Sequence, residues 1–210
     1  MQGYAKLTAG LVGAWFAFSL IAAGLGFYQI GVAQMPLMMG VGVMAPIVVF
    51  AAWFAGSAGF REFALGLNPR VLTYIQSLRL EGFVFLVLAT YGILPRMFAL
   101  PAGWGDMTIG ATAALAGLKL ATPARRAGFI LWQALGITDL VVAVTMGTLA
   151  QRIDPRGVPT SAMTALPMSM IPTFAVPLFL IFHVICIAQA LRWRVEGTAG
   201  AGRERCDVAA

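Results

Sequence analysis

The order of apolar and polar positions along this 210-residue chain predicts six membrane-spanning helices. Apolar stretches long enough to cross about 30 Å of hydrocarbon alternate with short polar segments. The predicted helices cover residues 8–28, 37–57, 70–94, 106–121, 127–150 and 168–192. The expected fold class is therefore an all-α integral membrane bundle formed by residues 1–194, followed by a polar cytoplasmic tail over 195–210.

The third predicted helix has two interpretations. Its fully apolar part, Gly82–Leu94, is short for a span, so a crossing helix must begin earlier. Such a start brings Gln76, Arg79 and Glu81 into the membrane zone. The alternative is an interfacial amphipathic helix over 70–81 followed by a short, tilted span. We favour one continuous helix, because the apolar residues of 70–81 leave no coherent polar face.

Composition supports a membrane protein and excludes other classes. The chain is 60% hydrophobic and only 10% charged, with a mean hydropathy of +0.87, so it has too few charges to cover a soluble globule. Its net charge is +6, but the basic residues lie in short segments between apolar stretches. Anionic lipid headgroups, and not nucleic acid, are the expected partners. Cys186 and Cys206 have no disulfide or zinc spacing, and no metal site is predicted.

The basic residues also indicate an orientation. With six crossings, one side of the membrane carries ten of the fourteen Lys and Arg residues and the other side carries three, with Arg79 inside. The positive-inside rule then predicts that both termini lie in the cytoplasm. The ten are Lys6, Arg61, Arg70, Lys119, Arg125, Arg126, Arg192, Arg194, Arg203 and Arg205, and the three are Arg96, Arg152 and Arg156.

Polar side chains at a shared depth form the candidate site. Counted from the predicted cytoplasmic ends, Arg79 and His183 lie about 14 Å deep and Asp139 about 18 Å deep. Charged groups at such depth are costly unless they face one another, a cofactor or a water-filled cavity. We therefore expect a polar pocket, extended by Gln76 and Gln133, that binds a small ligand or a proton-linked solute. The arginine would attract an anionic or carbonyl group, the aspartate would balance its charge, and the histidine would exchange a proton.

Other interpretations stay open. The same residues could serve only to hold helices together, in an accessory subunit of a larger membrane complex or in a homo-oligomer. A redox interpretation assigns His183 to a single haem b or to a quinone, since one histidine in the chain excludes a bis-histidine haem. Asp106 follows Gly103-Trp104-Gly105 and precedes an apolar stretch, so we interpret it as the outer-side N-cap of the fourth helix. No catalytic residue or enzymatic motif is identified, and an enzyme is not favoured.

Two further patterns concern helix packing. The fourth predicted helix contains small residues spaced four apart, Gly110 with Ala114 and Ala113 with Gly117, which allow helix backbones to approach closely. In the sixth, Pro172 and Pro177 each remove a backbone hydrogen bond and expose a carbonyl near Met168 or Thr173. A partner helix or a ligand must satisfy that carbonyl, and the helix is expected to kink.

Four segments have a recognisable sequence. They are Gln76–Arg79, Phe98–Asp106, Asp139–Gly147 and Leu166–His183. Together they resemble a group of small, functionally uncharacterised bacterial multi-pass inner-membrane proteins, over about residues 70–192. The resemblance implies a bacterial membrane protein and no particular activity, substrate or cofactor. The candidate residues within its recognisable segments are Gln76, Arg79, Asp106, Asp139 and His183.

Overall fold

In the computed structural model, residues 2–29 and 37–193 are described, and every regular element in them is helical. The α-helices are α1 (Gln2–Gly24), α2 (Leu37–Gly56), α3 (Ala58–Leu65), α4 (Pro69–Ile75), α5 (Phe83–Thr90), α6 (Arg96–Lys119), α7 (Arg126–Ile153) and α8 (Val176–Arg192). Short 3-10 helices cover Gln76–Gly82, Pro123–Arg125 and Ser161–Thr164, and a π-helical turn, Ile171–Ala175, precedes α8. The predicted polar tail, 195–210, and the basic residues Arg194, Arg203 and Arg205 lie outside the described residues.

Within this part of the chain, five helical stretches are long and apolar enough to cross a membrane. They are Gln2–Gly24, Leu37–Gly56, Pro69–Thr90, Pro123–Ile153 and Ile171–Arg192. These stretches agree with predicted helices one, two, three, five and six within six residues at either end. The all-α class is confirmed, and a spanning length with apolar composition is found for five helices rather than six.

The predicted fourth helix, 106–121, is the least accurate. Helix α6 begins at Arg96, ten residues before the predicted start, and has 24 residues. It is long enough to cross a membrane, but it is not among the five stretches that are also apolar enough to do so. Pro101 and the neighbouring glycines favour a loop by composition. Burial of Phe98 and Ala102 against α5 and α7 outweighs that preference and extends the helix.

The third predicted helix forms one helical stretch of 22 residues, Pro69–Thr90. Asn68 caps it, because its Oδ1 accepts a hydrogen bond of 2.9 Å from the Arg70 backbone N–H. The stretch changes type in the middle, where the 3-10 helix Gln76–Gly82 separates α4 from α5. The continuous helix that we favoured is therefore present, but its 3-10 interior is a feature that we did not predict.

Helix α6 lies at the centre of the fold. It packs against α4, the 3-10 helix and α5, and also against α7, and ten of its residues are buried. Of the predicted small-residue positions, Gly110, Ala113 and Gly117 are buried, whereas Ala114 is exposed. A methyl group added at Gly110 would lie 2.7 Å from the backbone nitrogen of Leu80. Small residues thus bring α6 into backbone contact with the 3-10 helix, as the spacing pattern predicted.

The last predicted helix is irregular where its prolines lie. The π-helical turn contains Pro172, and Pro177 is at the start of α8. The carbonyl oxygen of Thr173, which Pro177 leaves without a helical donor, accepts a hydrogen bond of 3.1 Å from the indole nitrogen of Trp15 in α1. The expectation that a partner helix would satisfy a proline-exposed carbonyl is confirmed.

Candidate functional site

The guanidinium group of Arg79 connects three other helices. The arginine lies in the 3-10 helix Gln76–Gly82 and is only 1% exposed. Its Nε donates to Oδ1 of Asp106 in α6 at 2.7 Å, and its Nη2 donates to Oδ2 of Asp139 in α7. Its Nη1 lies 3.2 Å from the carbonyl oxygen of Gly136 and 3.1 Å from Nε2 of His183 in α8. One side chain therefore joins α6, α7 and α8 to the 3-10 helix.

The same geometry determines which ring nitrogen of His183 carries the proton. A guanidinium group only donates hydrogen bonds, so Nε2 of His183 must be the acceptor and its ring proton must be on Nδ1. That Nδ1–H donates to Oε1 of Gln133 at 2.5 Å, and Nε2 of Gln133 donates to Oγ1 of Thr73 at 3.1 Å. Oγ1 of Thr73 in turn donates to the carbonyl oxygen of Pro69 at 2.7 Å. A directed chain of hydrogen bonds thus runs from Arg79 to the start of α4.

These side chains form a group that we call the polar cluster. Its members are Thr73, Arg79, Asp106, Gln133, Asp139 and His183. With both aspartates ionised and the histidine neutral, the cluster has one positive and two negative charges, so its net charge is −1. An uncompensated charge is costly in a low-dielectric interior. One proton or one monovalent cation would neutralise the cluster.

Solvent exposure differs among the members of the polar cluster. The side chains of Asp106 and Asp139 are 11% and 12% exposed, whereas that of Arg79 is 1% exposed. Thr73, Gln133 and His183 are fully buried. The two carboxylates are therefore the most accessible edge of the cluster, and the hydrogen-bond chain leads away from them through buried side chains to the backbone of Pro69.

Glycines make room for the charged and ring groups. A methyl group at Gly105 of α6 would collide with the carboxylate of Asp139, and a methyl group at Gly136 of α7 would collide with the imidazole of His183. Any larger residue at either position would have to displace a member of the polar cluster. The close packing of α6 and α7 around these side chains therefore depends on both glycines.

The structure brings together Arg79, Asp139, His183 and Gln133, all four of which the sequence placed in the candidate site. Gln76 does not join them by a hydrogen bond. Its Nε2 donates to the carbonyl oxygen of Phe179 at 3.2 Å, and its buried Oε1 has no partner among the described residues. Gln76 therefore anchors the 3-10 helix to α8.

The N-cap interpretation of Asp106 is wrong. Helix α6 begins at Arg96, which places Asp106 in the helix interior, where its carboxylate pairs with Arg79. A signal for this role exists in the sequence, because Asp106 lies three residues after Gly103 and four before Gly110. That spacing puts the aspartate on the small-residue face of one helix. Thr73, six residues before Arg79, was also missed, since a threonine in an apolar helix usually bonds its own backbone.

The surroundings of His183 do not fit a haem. Both ring nitrogens already have partners, and the ring lies against Gly136 and 5.8 Å from the centre of the Trp132 ring system. An axial haem ligand needs a free Nε2 that faces open space beside a planar macrocycle. In residues 2–29 and 37–193, no group of three His, Cys, Asp or Glu side chains is arranged to hold a metal ion.

Two clefts are present elsewhere on the described part of the molecule. One, of about 340 Å³, lies between α3, α4 and the end of α8, and the other, of about 480 Å³, lies between α6 and α7 near Lys119. Neither is lined by a member of the polar cluster.

The described residues define an all-helical protein with five membrane-length apolar helices and a buried polar cluster formed by residues of α4, the following 3-10 helix, α6, α7 and α8. A family model described as "Domain of unknown function (DUF8737)" matches residues 32–191, a range of 160 of the 210 residues that includes every member of the polar cluster. The chain belongs to this family. No curated protein and no solved structure matches it.

Proposed function

We propose that this protein is a six-span protein of the bacterial inner membrane that binds a proton at the polar cluster and couples this step to binding of a small solute. Both termini would lie in the cytoplasm, as the distribution of basic residues indicates. The observation that carries the proposal is the sharing of one buried guanidinium group, that of Arg79, between two carboxylates, those of Asp106 and Asp139.

The charge count provides the reason for proton binding. A net charge of −1 in a layer shielded from water is unfavourable, and a proton on either aspartate removes it while the other aspartate keeps its ion pair with Arg79. Asp139 and Asp106 are also the most exposed members of the cluster, so a proton can reach them before it reaches His183.

Solute binding would be linked to the proton through Arg79. Each of its nitrogen atoms has a partner in the protein and the side chain is only 1% exposed, so an anionic or carbonyl solute can reach the guanidinium group only if a neighbouring side chain moves away. A protonated aspartate holds the arginine less strongly than a carboxylate does. Proton and solute should therefore each strengthen the binding of the other, as thermodynamic linkage requires.

The 3-10 helix that carries Arg79 is a suitable moving element. A 3-10 stretch inside a longer helix often marks a hinge. Part of its contact with α6 is made through Gly82 and Gly103, whose backbones approach each other closely. A change in the ion pairs of Arg79 would act directly on this contact, and through it on the arrangement of the helices.

Infrared spectroscopy of the full-length protein in nanodiscs tests the proton step. Acidification should produce a protonated-carboxyl band in the wild type, because a proton on one aspartate removes the excess negative charge of the cluster. This band should change in Asp106→Asn and Asp139→Asn but persist in Glu81→Gln, because Glu81 is an exposed carboxylate on the same 3-10 helix. A titration without such a band, or a band that only Glu81→Gln removes, would contradict the proposal.

The link to solute binding is tested by thermal unfolding of the same protein with a panel of small carboxylates and inorganic phosphate. Stabilisation by an anion should be greater at acidic than at alkaline pH and should be lost in Arg79→Gln. Stabilisation that is equal at both pH values would leave a proton-binding cluster without coupling and would remove the solute from the proposal.

A purely structural function is the second candidate, and one observation favours it. The hydrogen bonds of Arg79, His183 and Gln133 are satisfied within the chain, so the polar cluster needs no ligand to be complete. In that case the chain would be an accessory subunit whose cluster only fixes helix packing. The structural function predicts that no carboxyl band titrates. Co-purification of a partner protein would support this function.

A further inference from the structure

The cleft between α6 and α7 lies outside the polar cluster and combines an apolar wall with a basic end. Leu115 and Leu120 of the α6 region and Trp132 of α7 line it, and Lys119 and Arg125 are at its end near the connection between the two helices. Its volume is about 480 Å³. The distance along α6 from Thr112 to Lys119 is about 10 Å, so the cleft follows the helix axis for about two turns.

The wall of this cleft is largely apolar, and the N–H of its one aromatic side chain already has a hydrogen-bond partner. Nε1 of Trp132 donates to Oγ1 of Thr112 at 3.0 Å, and Oγ1 of Thr112 donates to the carbonyl oxygen of Thr108 at 2.7 Å. The indole, which is 9% exposed, therefore contributes the accessible part of its ring to the cleft and not its hydrogen-bond donor. Leu115, which is 59% exposed, continues the same surface.

The basic end is not neutralised by the described part of the chain. Lys119 and Arg125 are exposed, and in the described ranges 2–29 and 37–193 neither side chain has an ion-pair or hydrogen-bond partner. Among the described residues that line the cleft, none is acidic. Two cations at one end of an apolar cleft between helices are complementary to an anion that carries a long apolar chain.

We propose that this cleft is a binding site for one anionic glycerophospholipid of the bilayer. The lipid phosphate would lie between Lys119 and Arg125, and one acyl chain would lie along Leu115, Leu120 and Trp132. The site is independent of the polar cluster and does not rest on the proposed proton binding.

Native mass spectrometry of the full-length protein, titrated with phosphatidylglycerol or phosphatidylcholine, tests this site. Wild-type protein should bind one copy of phosphatidylglycerol in preference to phosphatidylcholine. The double variant K119A/R125A should lose about 10- to 30-fold in affinity for phosphatidylglycerol, since each basic residue near a headgroup contributes about a factor of five. K119R/R125K should keep the wild-type affinity, because it retains both charges.

The matched control is R70A/R192A, which removes two exposed basic residues outside the cleft. An equal loss of affinity in this control would overturn the proposal in favour of a general charge effect. Unchanged affinity in K119A/R125A would overturn it directly, and so would a loss of equal size in K119R/R125K. Glycerol phosphate should not compete with the lipid, and full competition would show that the apolar cleft contributes nothing.

Discussion

The helices that meet at Arg79 and the two N-terminal helices are stabilised by different contacts. In α6 ten residues are buried, and one of them is Asp106. Asp106 belongs to the polar cluster, which contains three charged side chains. In α1 the buried residues are Ser19, Ala22 and Ala23, and in α2 they are Met39 and Val43. The first region thus buries charge and backbone contacts, whereas the second buries a few small or apolar groups.

This difference shows which interactions determine structure in an apolar environment. Phe18 and Ile21 of α1 are each 62% exposed, and in a bilayer they would exchange one apolar surrounding for another at little gain. Polar groups have no such alternative in lipid, so they must find partners in the protein. We therefore expect the polar cluster to account for more of the stability than the whole contact surface of α1.

Replacement of Arg79 should give the largest effect. Arg79→Ala leaves two buried carboxylates without a counter-charge and should lower the free energy of unfolding by about 3–5 kcal/mol. Arg61→Ala, which removes bonds to backbone carbonyls at the end of α2, should cost about 1 kcal/mol or less. Denaturant unfolding in detergent micelles measures both values, and equal losses would erase the contrast between the regions.

The two aspartates should not behave independently. Asp106→Asn or Asp139→Asn alone brings the net charge of the cluster to zero and should cost about 1 kcal/mol. The double variant leaves Arg79 unpaired and should cost about 3 kcal/mol or more, which exceeds the sum of the single effects. A double-mutant cycle measures this coupling. Additive costs would show that the two ion pairs do not share one charge balance.

Glycine-to-alanine substitutions should lower the free energy of unfolding at Gly105 and Gly136 near the polar cluster but not at Gly40 of α2, because of these three positions only the first two lack room for a methyl group. Gly136→Ala and Gly105→Ala displace members of the polar cluster and should each cost about 1–3 kcal/mol. Gly40→Ala in α2 meets open space and should be neutral or stabilising by up to about 1 kcal/mol. Unfolding measurements on the three variants provide the comparison. A destabilised Gly40→Ala would show that α2 has a covered face.

The smallest effect is expected for the link between the regions. Trp15→Phe removes the hydrogen bond to the Thr173 carbonyl and should cost about 0.5–1.5 kcal/mol. Trp53→Phe, whose indole stacks on Phe60 at a ring separation of 3.9 Å, is the control for loss of ring area. If both substitutions cost the same in the unfolding measurement, the hydrogen bond contributes nothing.

Local sequence features predicted most of the helices and part of the site. Long apolar stretches and the depth of Arg79, Asp139 and His183 are properties of single segments, so a count along each helix was sufficient to expect their meeting. The small-residue spacing in α6 also predicted its buried position. Helix α3 was missed, although Ser57 caps it by accepting from the Phe60 backbone N–H at 3.3 Å, because this serine was assigned to the end of the second span.

Features that depend on contacts between segments were not predictable in the same way. The early start of α6 requires burial of Phe98 against α5, and the pairing of Asp106 requires the 3-10 helix to lie close by. No property of residues 95–106 alone distinguishes a loop from a helix whose first turns are covered by neighbours. Proline and glycine counts therefore favoured the wrong element at that position.

The 3-10 helix Gln76–Gly82 changes the dimensions of the stretch that contains it. Each of its seven residues rises about 2.0 Å instead of 1.5 Å, so Pro69–Thr90 reaches about 36 Å instead of about 33 Å. Each residue also turns about 120° instead of 100°, which accumulates to about 140° over the segment. A helical wheel drawn with a uniform period from Pro69 would consequently assign Phe85 and Ala89, which are buried, to a different face of α5.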